Sequence, residues 1–405
     1  MIEIKGKYSN AIIYATKVDD SAVEQIQQLC DQSFTQDCRI RIMSDVHSGK
    51  GCVIGFTADL KDKVIPNIVG VDIGCGMLTV ELGKADFSLE QLDNIIRKYV
   101  PAGYRIHEGK IATFDEILDL YCFRELTDTK RFNRSLGTLG GGNHFIEVDI
   151  DDEGYKYLVI HTGSRNLGKQ VANYYQKLAV DLMSGKDELF AKQKQIIEEY
   201  KAQGRKQEIQ QTIKELHQNF KAKEITIPQE LCYLTGEYRD MYLHDMAICQ
   251  RYASLNRELI ANNILMHMFN KSLNDFYFFE TIHNYIDHEY NLIRKGAVSA
   301  RKDEILLIPI NMRDGSLIAR GKGNPEWNYS APHGAGRIFS RSQAKEEFTL
   351  KEFKKEMEGI YTTSVHESTL DECPMAYKSM KDIVDNIYDT VDIIKVIKPI
   401  YNFKA

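Results

Sequence analysis

The chemistry-bearing side chains of this 405-residue chain sit in short blocks that lie far apart in sequence. The blocks are Met43-Ser-Asp-Val-His-Ser-Gly49, Val71-Asp-Ile-Gly-Cys-Gly-Met77, Leu139-Gly-Gly-Gly-Asn-His-Phe-Ile-Glu147, His161-Thr-Gly-Ser-Arg165, Ile282-His-Asn-Tyr285 and His333-Gly-Ala-Gly-Arg337. Each holds a metal-capable or nucleophilic group. All but the Ile282 block add glycine, which lets a backbone turn sharply or approach a ligand closely. A lone histidine is usually a satisfied structural residue. Several blocks of one composition argue instead for one shared site. A site drawn from positions 43 to 337 needs one folded unit, so a single domain is expected over residues 1–405.

The segments between the blocks read as mixed α and β. Ala11–Tyr14, Arg39–Met43, Cys52–Phe56, Met77–Glu81 and Tyr157–Ile160 are β-rich and bounded by Gly, Asp or Lys. Helical periods appear over Ser88–Tyr99, Thr113–Leu126 and Tyr238–Phe269, and the chain closes on an apolar-rich tail, Val391–Phe403. Lys, Glu and Gln dominate from about 170 to 222, where Ile209, Ile213, Leu216 and Phe220 form one apolar stripe. That stretch is expected to be a charged helical insertion resting on the body. Strands and helices mix without regular βαβ alternation, so the expected class is α+β.

Composition narrows the class of function. Hydrophobic residues make up 43% and charged residues 27%, the balance of a soluble globular protein. A formal net charge of −6 argues against a polycation that binds nucleic acid in bulk, leaving a local basic groove as the alternative. No apolar run reaches bilayer length. Cys30, Cys38, Cys52, Cys75, Cys122, Cys232, Cys249 and Cys373 are scattered, with no C-x-x-C pair, so a reducing cytoplasm is expected.

Asp72, Cys75, His144, His161 and His283 supply one carboxylate, one thiolate and three imidazoles, enough for two metals if the thiolate bridges. Such sites recur where phosphoryl groups move. Ligand softness alone would select zinc, so the residues predict a metal more firmly than its identity. Gly163-Ser-Arg-Asn-Leu-Gly168-Lys169 fits a P-loop frame, but Gln170 stands where the magnesium-binding Ser or Thr belongs. Met312-Arg-Asp-Gly315 lacks the lysine of a lysine-nucleophile ligase.

Together the blocks resemble the RtcB-type RNA ligases, from about Asp45 to Lys404, and the His-Gly-Ala-Gly-Arg block is the most specific of them. The resemblance implies an α+β fold with a two-sheet core and a central cleft. It implies joining of an RNA 3′-phosphate or 2′,3′-cyclic phosphate to a 5′-hydroxyl with GTP and two Mn²⁺ ions, by an expected monomer. Asp72, Cys75, His144, His161 and His283 then look like the metal ligands, with Cys75 bridging, and His333 like the nucleophile that takes GMP. Asn143, Glu147 and Lys404 match guanylate-binding positions. Gly334 and Gly336 would let backbone amides approach phosphate. Arg165 matches an RNA-phosphate position, and Arg337 and Arg341 are expected beside it in one cleft.

Three segments depart from the family pattern. Asp45-Val46-His47 lacks the usual central glycine, Ile282-His283 replaces a double histidine, and Pro309-Ile310-Asn311-Met312 replaces a Pro-Gly-Ser-Met loop. Two rival readings use the same residues. A two-metal phosphoesterase would need no nucleophile that survives as an adduct, whereas His333 is present. A non-catalytic RNA-end-binding protein would have no need of the full ligand set.

Overall fold

The computed structural model describes residues 1–404. Two large sheets carry the molecule. One is six-stranded, in the order Ile2–Lys5, Asn10–Ile13, Ile40–His47, Ile54–Ala58, Leu292–Lys295 and Asn284–Asp287. The other runs Ile305–Asn311, Gly315–Gly321, Val391–Lys404, Phe145–Ile150, Lys156–Thr162, Gly76–Gly83 and Phe278–Ile282, with Tyr361–Thr362 paired to the long Val391–Lys404 strand. A small pair, Ala297–Ser299 with Ser330–Pro332, leads directly to His333. Nearly all pairings are antiparallel, as the absence of βαβ alternation in the sequence requires.

The apolar tail expected from Val391 onward is a 14-residue strand at the centre of the larger sheet. Its alternation sends Tyr401 and Phe403 into the apolar cluster built on Leu78, Ile146 and Ile160. Asn402 and Lys404 therefore lie on the opposite face, in register with Glu147 and Phe145. Phe145 is in turn in register with His161, and His161 with Met77. One row across adjacent strands thus gathers residues more than 300 positions apart.

The 34-residue helix Gly236–Phe269 ties two cores together. Tyr242, Met246, Cys249 and Tyr252 enter the cluster built on the six-stranded sheet, and Ile260, Ala261, Ile264 and Leu265 enter the one beneath the larger sheet. Between them the buried stripe turns polar at Asn256 and Arg257, both fully buried. Asn256 donates to the carbonyls of Thr138 (3.1 Å) and Gly163 (3.3 Å). Arg257 donates to the carbonyls of Gly74 (2.9 Å) and Thr162 (2.8 Å) and pairs with Glu280 (2.8 Å). Buried polar groups are costly unless bonded, and here the bonds fix the backbone of the Val71 and His161 blocks and of Thr138, the residue before the Leu139 block.

The charged stretch forms the helices Arg165–Asp181, Asp187–Ala202 and Ile209–Asn219. Of the last two only Leu189 is buried, and the Ile209, Ile213, Leu216 and Phe220 stripe is half-covered. The helix expected at Thr113–Leu126 is absent; the segment holds two short 3₁₀ turns, Asp115–Asp119 and Phe123–Glu125. Its apolar residues Phe114, Ile117, Leu120, Phe123 and Leu126 recur at a strict spacing of three, the 3₁₀ period and not the α period. Asp245 also captures the N–H groups of Tyr121 (2.9 Å) and Cys122 (3.1 Å), which interrupts the turn.

Candidate active site

The five expected ligands converge at the ends of adjacent strands of the larger sheet. Cys75 immediately precedes Gly76–Gly83, His144 precedes Phe145–Ile150, His161 lies near the end of Lys156–Thr162, and His283 follows Phe278–Ile282. Their ligand atoms form two triads that share Cys75: Asp72 with Cys75 and His144, and Cys75 with His161 and His283, each within 4.8 Å. Cys75 Sγ lies 3.6 Å from His144 Nε2 and 3.3 Å from His161 Nε2. His161 Nε2 and His283 Nε2 are 3.4 Å apart.

Backbone carbonyls set the tautomers of two of these rings. His144 Nδ1 is 2.9 Å from the Leu139 carbonyl and His161 Nδ1 is 3.1 Å from that of Asn143, so each Nδ1–H donates outward. Each Nε2 lone pair is left facing the cluster. Burial pushes His161 and His283 well below the ordinary histidine value, which keeps both rings neutral. Burial, and then the Asp72 charge, push the Cys75 thiol well above its usual range, so an adjacent cation is what would make it a thiolate. Asp72 reaches His144 Nε2 (3.0 Å), and its other oxygen accepts the Ser164 N–H (3.1 Å). Side chains with lone pairs turned on one another, all buried but the half-buried Asp72, fit a pair of divalent cations.

Gly163 packs against Asp72: a Cβ there would lie 2.3 Å from Oδ1. The Gly163–Lys169 frame is therefore a wall of the cluster and the start of a helix, with Gly168 closed off by Ser164.

His333 faces the cluster from the end of the small Ala297–Ser299 and Ser330–Pro332 pair. Its ring centroid is 4.8 Å from that of His283. Asp45, fully buried on the Ile40–His47 strand, holds His333 through one oxygen, 2.6 Å from Nδ1 and 3.1 Å from the backbone N–H. Nδ1–H thus donates to Asp45, and Nε2 carries the lone pair. Gly336, at φ +73°, lies against the Asp45 backbone, where a Cβ would come within 2.2 Å of the carbonyl oxygen.

A cavity of about 230 Å³ opens beside His333. Asn143, Glu147, His161, His283, Gly334, Gly336, Arg337, Arg341 and Lys404 all line it, together with Asn402, Tyr377 and Glu372. Glu147 Oε2 accepts from Asn402 Nδ2 (2.5 Å). The divergent Pro309–Met312 segment also lines the cavity, and Asn311 closes its own turn by accepting the N–H groups of Arg313 (3.0 Å) and Asp314 (2.9 Å).

The three arginines do not share this cavity. Arg337 and Arg341 are paired to Glu372 (3.4 and 2.8 Å), next to Lys404, whose Nζ meets the same carboxylate at 2.5 Å. Arg165 is absent from the lining; it opens the helix after Ser164 and donates to Thr138 Oγ1 (3.2 Å) and the Gly103 carbonyl (3.3 Å). Its place is on the Asp72 side of the cluster.

Sequence reasoning missed Glu372, Asn402, Asn256 and Arg257 as parts of the site, and left Asp45 without a role. Two polar residues in the buried stripe of a long helix were a usable signal for Asn256 and Arg257. Glu372 sits in a plain acidic segment and offered none.

Burial opposes the Glu372 charge, yet Lys404, Arg341 and Arg337 hold its carboxyl down at about 2. The folded value lies below the unfolded one, so the stabilisation is present above about pH 4.5 and fades as pH falls towards about 2. The shift corresponds to roughly 3 kcal/mol. Glu372→Gln is therefore expected to lower the urea midpoint clearly at pH 7 and much less at pH 3. An equal gap at both pH values would contradict the ion-pair account.

The family model described as tRNA-splicing ligase RtcB matches residues 25–125 and 123–405. The chain belongs to the RtcB ligase family. Among its relatives, the RNA-splicing ligase RtcB1 of Escherichia coli strain ATCC 25922 is 32% identical over 404 residues, covering 90% of each chain. RNA-splicing ligase RtcB of E. coli K12 is 31% identical, again over 90% of each. The tRNA-splicing ligase RtcB of Aeropyrum pernix is 26% identical, over 96% of this chain and 92% of its own. The α+β fold expected from the resemblance is the one observed, and the RtcB match includes strands of both sheets and every block of the site.

Proposed function

We propose that this chain is a GTP- and Mn²⁺-dependent RNA ligase that joins 3′-phosphate or 2′,3′-cyclic phosphate ends to 5′-hydroxyl ends through a guanylylated histidine. The observation that carries the reading is His333, oriented by a buried carboxylate and set 4.8 Å, ring to ring, from a metal-capable cluster. The relatives' names speak for RNA ligation, and each candidate ligand comes from one chain, which suits a monomer. No helix among the described residues is long and apolar enough to cross a membrane. All eight cysteines are free and buried, which suits the cytoplasm.

Asp72, Cys75 and His144 would hold one Mn²⁺, and Cys75, His161 and His283 the other. When bound, the ions would neutralise charge on the transferring phosphate. His333 Nε2 attacks the α-phosphorus of GTP; an N–P bond forms and pyrophosphate leaves with the electrons of the broken P–O bond. Asp45 holds the ring's Nδ1 proton and stabilises the positive charge that develops on the imidazole. An oxygen of the RNA 3′-phosphate then attacks the phosphoramidate, returning the electron pair to His333 and giving RNA-3′-pp-5′-G. The 5′-hydroxyl displaces GMP and closes the phosphodiester.

Glu147, Asn143 and Lys404 suit the guanylate because they line the cavity beside His333, with Lys404 and Asn402 on the same sheet face as Glu147. Gly334 and Gly336 leave the backbone beside the nucleophile open to phosphate oxygens. Arg337 and Arg341 serve the same end of the cavity, held in place by Glu372. A two-metal phosphoesterase would make no use of the Asp45–His333 pair. A non-catalytic RNA-end binder would make no use of it either. The test is joining of a 3′-phosphate RNA to a 5′-hydroxyl RNA with GTP and Mn²⁺; release of inorganic phosphate without joining would favour the phosphoesterase.

Arg165 is the cation suited to the RNA end on the Asp72 side. Arg165→Ala is expected to leave GMP transfer to His333 nearly intact and to slow the RNA-dependent steps about ten- to a hundred-fold, the loss of a charge-assisted contact of roughly 1.5–3 kcal/mol. The two half-reactions are measured separately at fixed salt. Equal loss in both would move Arg165 out of the RNA site.

A further inference from the structure

Tyr104 is 96% exposed, more than any other large apolar side chain among the described residues. Its backbone, by contrast, is fixed on both sides. The Gly103 N–H donates to the Gly140 carbonyl (2.9 Å), the Gly103 carbonyl accepts from Arg165 (3.3 Å), and the Tyr104 carbonyl accepts from Arg131 (2.9 Å). Three residues on, the loop is stapled again, His107 and Arg134 exchanging bonds of 3.1 and 3.0 Å. An aromatic ring with free faces on a rigid base has little conformational entropy left to lose on stacking.

The same bonds tie the base of the ring to the site. Gly140 begins the loop Gly140–Gly142 that leads through Asn143 to the candidate ligand His144, and Gly141, Gly142 and Asn143 are exposed. A Cβ on Gly141 would meet only the Gly103 Cα, at 3.6 Å, and a Cβ on Gly142 would meet nothing within 4 Å. A backbone path of exposed Gly141 and Gly142, with the Arg165 guanidinium packed on Gly140, therefore links Tyr104 to the Asp72–His144 edge of the cluster.

Charge along that path is positive in a chain whose net charge is −6. The two segments that meet here, 103–107 and 130–134, hold Arg105, Lys130, Arg131 and Arg134 and no carboxylate. The Asp128 carboxylate makes only a long, exposed pair with the Arg131 guanidinium (4.0 Å), and Glu108 lies beyond the segment and is exposed. Aromatic faces interleaved with guanidinium groups suit an unpaired nucleotide, the ring taking the base and the cations the phosphates.

We propose that Tyr104 is a base-stacking platform for the RNA strand bearing the 3′-phosphate, holding an unpaired nucleotide beside the end to be joined. The inference rests on the ligase reading and adds to it the contact that grips the single strand. Stacking is sequence-tolerant, so the platform would favour unpaired ends over paired ones without choosing among bases.

The experiment uses the full chain and a fluorescein-labelled single-stranded RNA with a 3′-phosphate, alongside the same RNA carrying abasic residues near that end. Tyr104→Ala is expected to raise the apparent Kd about ten-fold, while Tyr104→Phe stays close to wild type. On the abasic RNA, wild type and Tyr104→Ala should bind equally weakly. GMP transfer to His333 in each variant reports that the fold and the nucleotide site are intact. Equal affinity of wild type and Tyr104→Ala for the normal RNA would overturn the platform. So would a ten-fold loss that persists on the abasic RNA. Failure of the wild-type chain to join RNA at all would strike the ligase reading instead, a result readily told apart from these.

Discussion

Cys75→Ser is expected to lose metal and guanylylation together. Cys75 is the one side chain common to both triads, so its loss removes a ligand from each. A serine hydroxyl stays protonated at neutral pH and is a poor bridge, and it cannot take the place of a soft thiolate. Changing a residue that only supports a ligand commonly costs 10–100-fold in metal affinity, so removing a shared ligand should cost at least about a hundred-fold. Elemental analysis of the dialysed protein, compared with wild type, reads this directly. Near-normal metal with activity lost would make Cys75 a reactive thiol. Its surroundings speak against that role, because burial and Asp72 raise its pKa, whereas a reactive thiol needs it lowered.

His333→Ala should abolish the first chemical step and spare the last. With no nitrogen to attack the α-phosphorus, GMP transfer should fall by at least about 10⁴-fold, since removal of a nucleophile leaves only binding and electrostatic assistance. Sealing of an RNA supplied already as RNA-3′-pp-5′-G should survive, because His333 has left the bond by then and the cluster ligands are untouched. The split between the two substrates is the informative readout. If both steps vanish equally, His333 supports the cluster or the fold and the nucleophile lies elsewhere.

The metal-capable cluster was legible in the sequence because each ligand sits in a block that is odd for its surroundings. His161 closes a β-rich run and is followed by Thr-Gly-Ser-Arg, and Cys75 is flanked by two glycines. The same blocks, taken together, required strands brought side by side, which the register of Phe145 with His161 and of His161 with Met77 supplies. Partnerships between distant and ordinary segments were not legible. Glu372 gains its role only because Lys404, Arg337 and Arg341 fold onto it from three places. Asp45 becomes the partner of His333 across 288 residues, through a contact between two sheets that no local pattern encodes. The grouping of Arg165 with Arg337 and Arg341 was misread because nearness in sequence to a cluster residue does not say which side of the cluster a guanidinium takes. The Thr113–Leu126 segment shows the limit of pattern reading at short range, where a spacing of three and a spacing of 3.6 differ by little over so few turns.

The central claim, that the chain works through a GMP-bearing His333, is tested most directly by incubating the wild-type protein with α-labelled GTP and Mn²⁺ and then denaturing it. The account predicts label retained on the chain, stable to alkali and lost in mild acid as a phosphoramidate is, and recovered after digestion on the peptide containing His333. Label that resists acid, label on another peptide, or RNA joined with no label ever bound to the protein would contradict it.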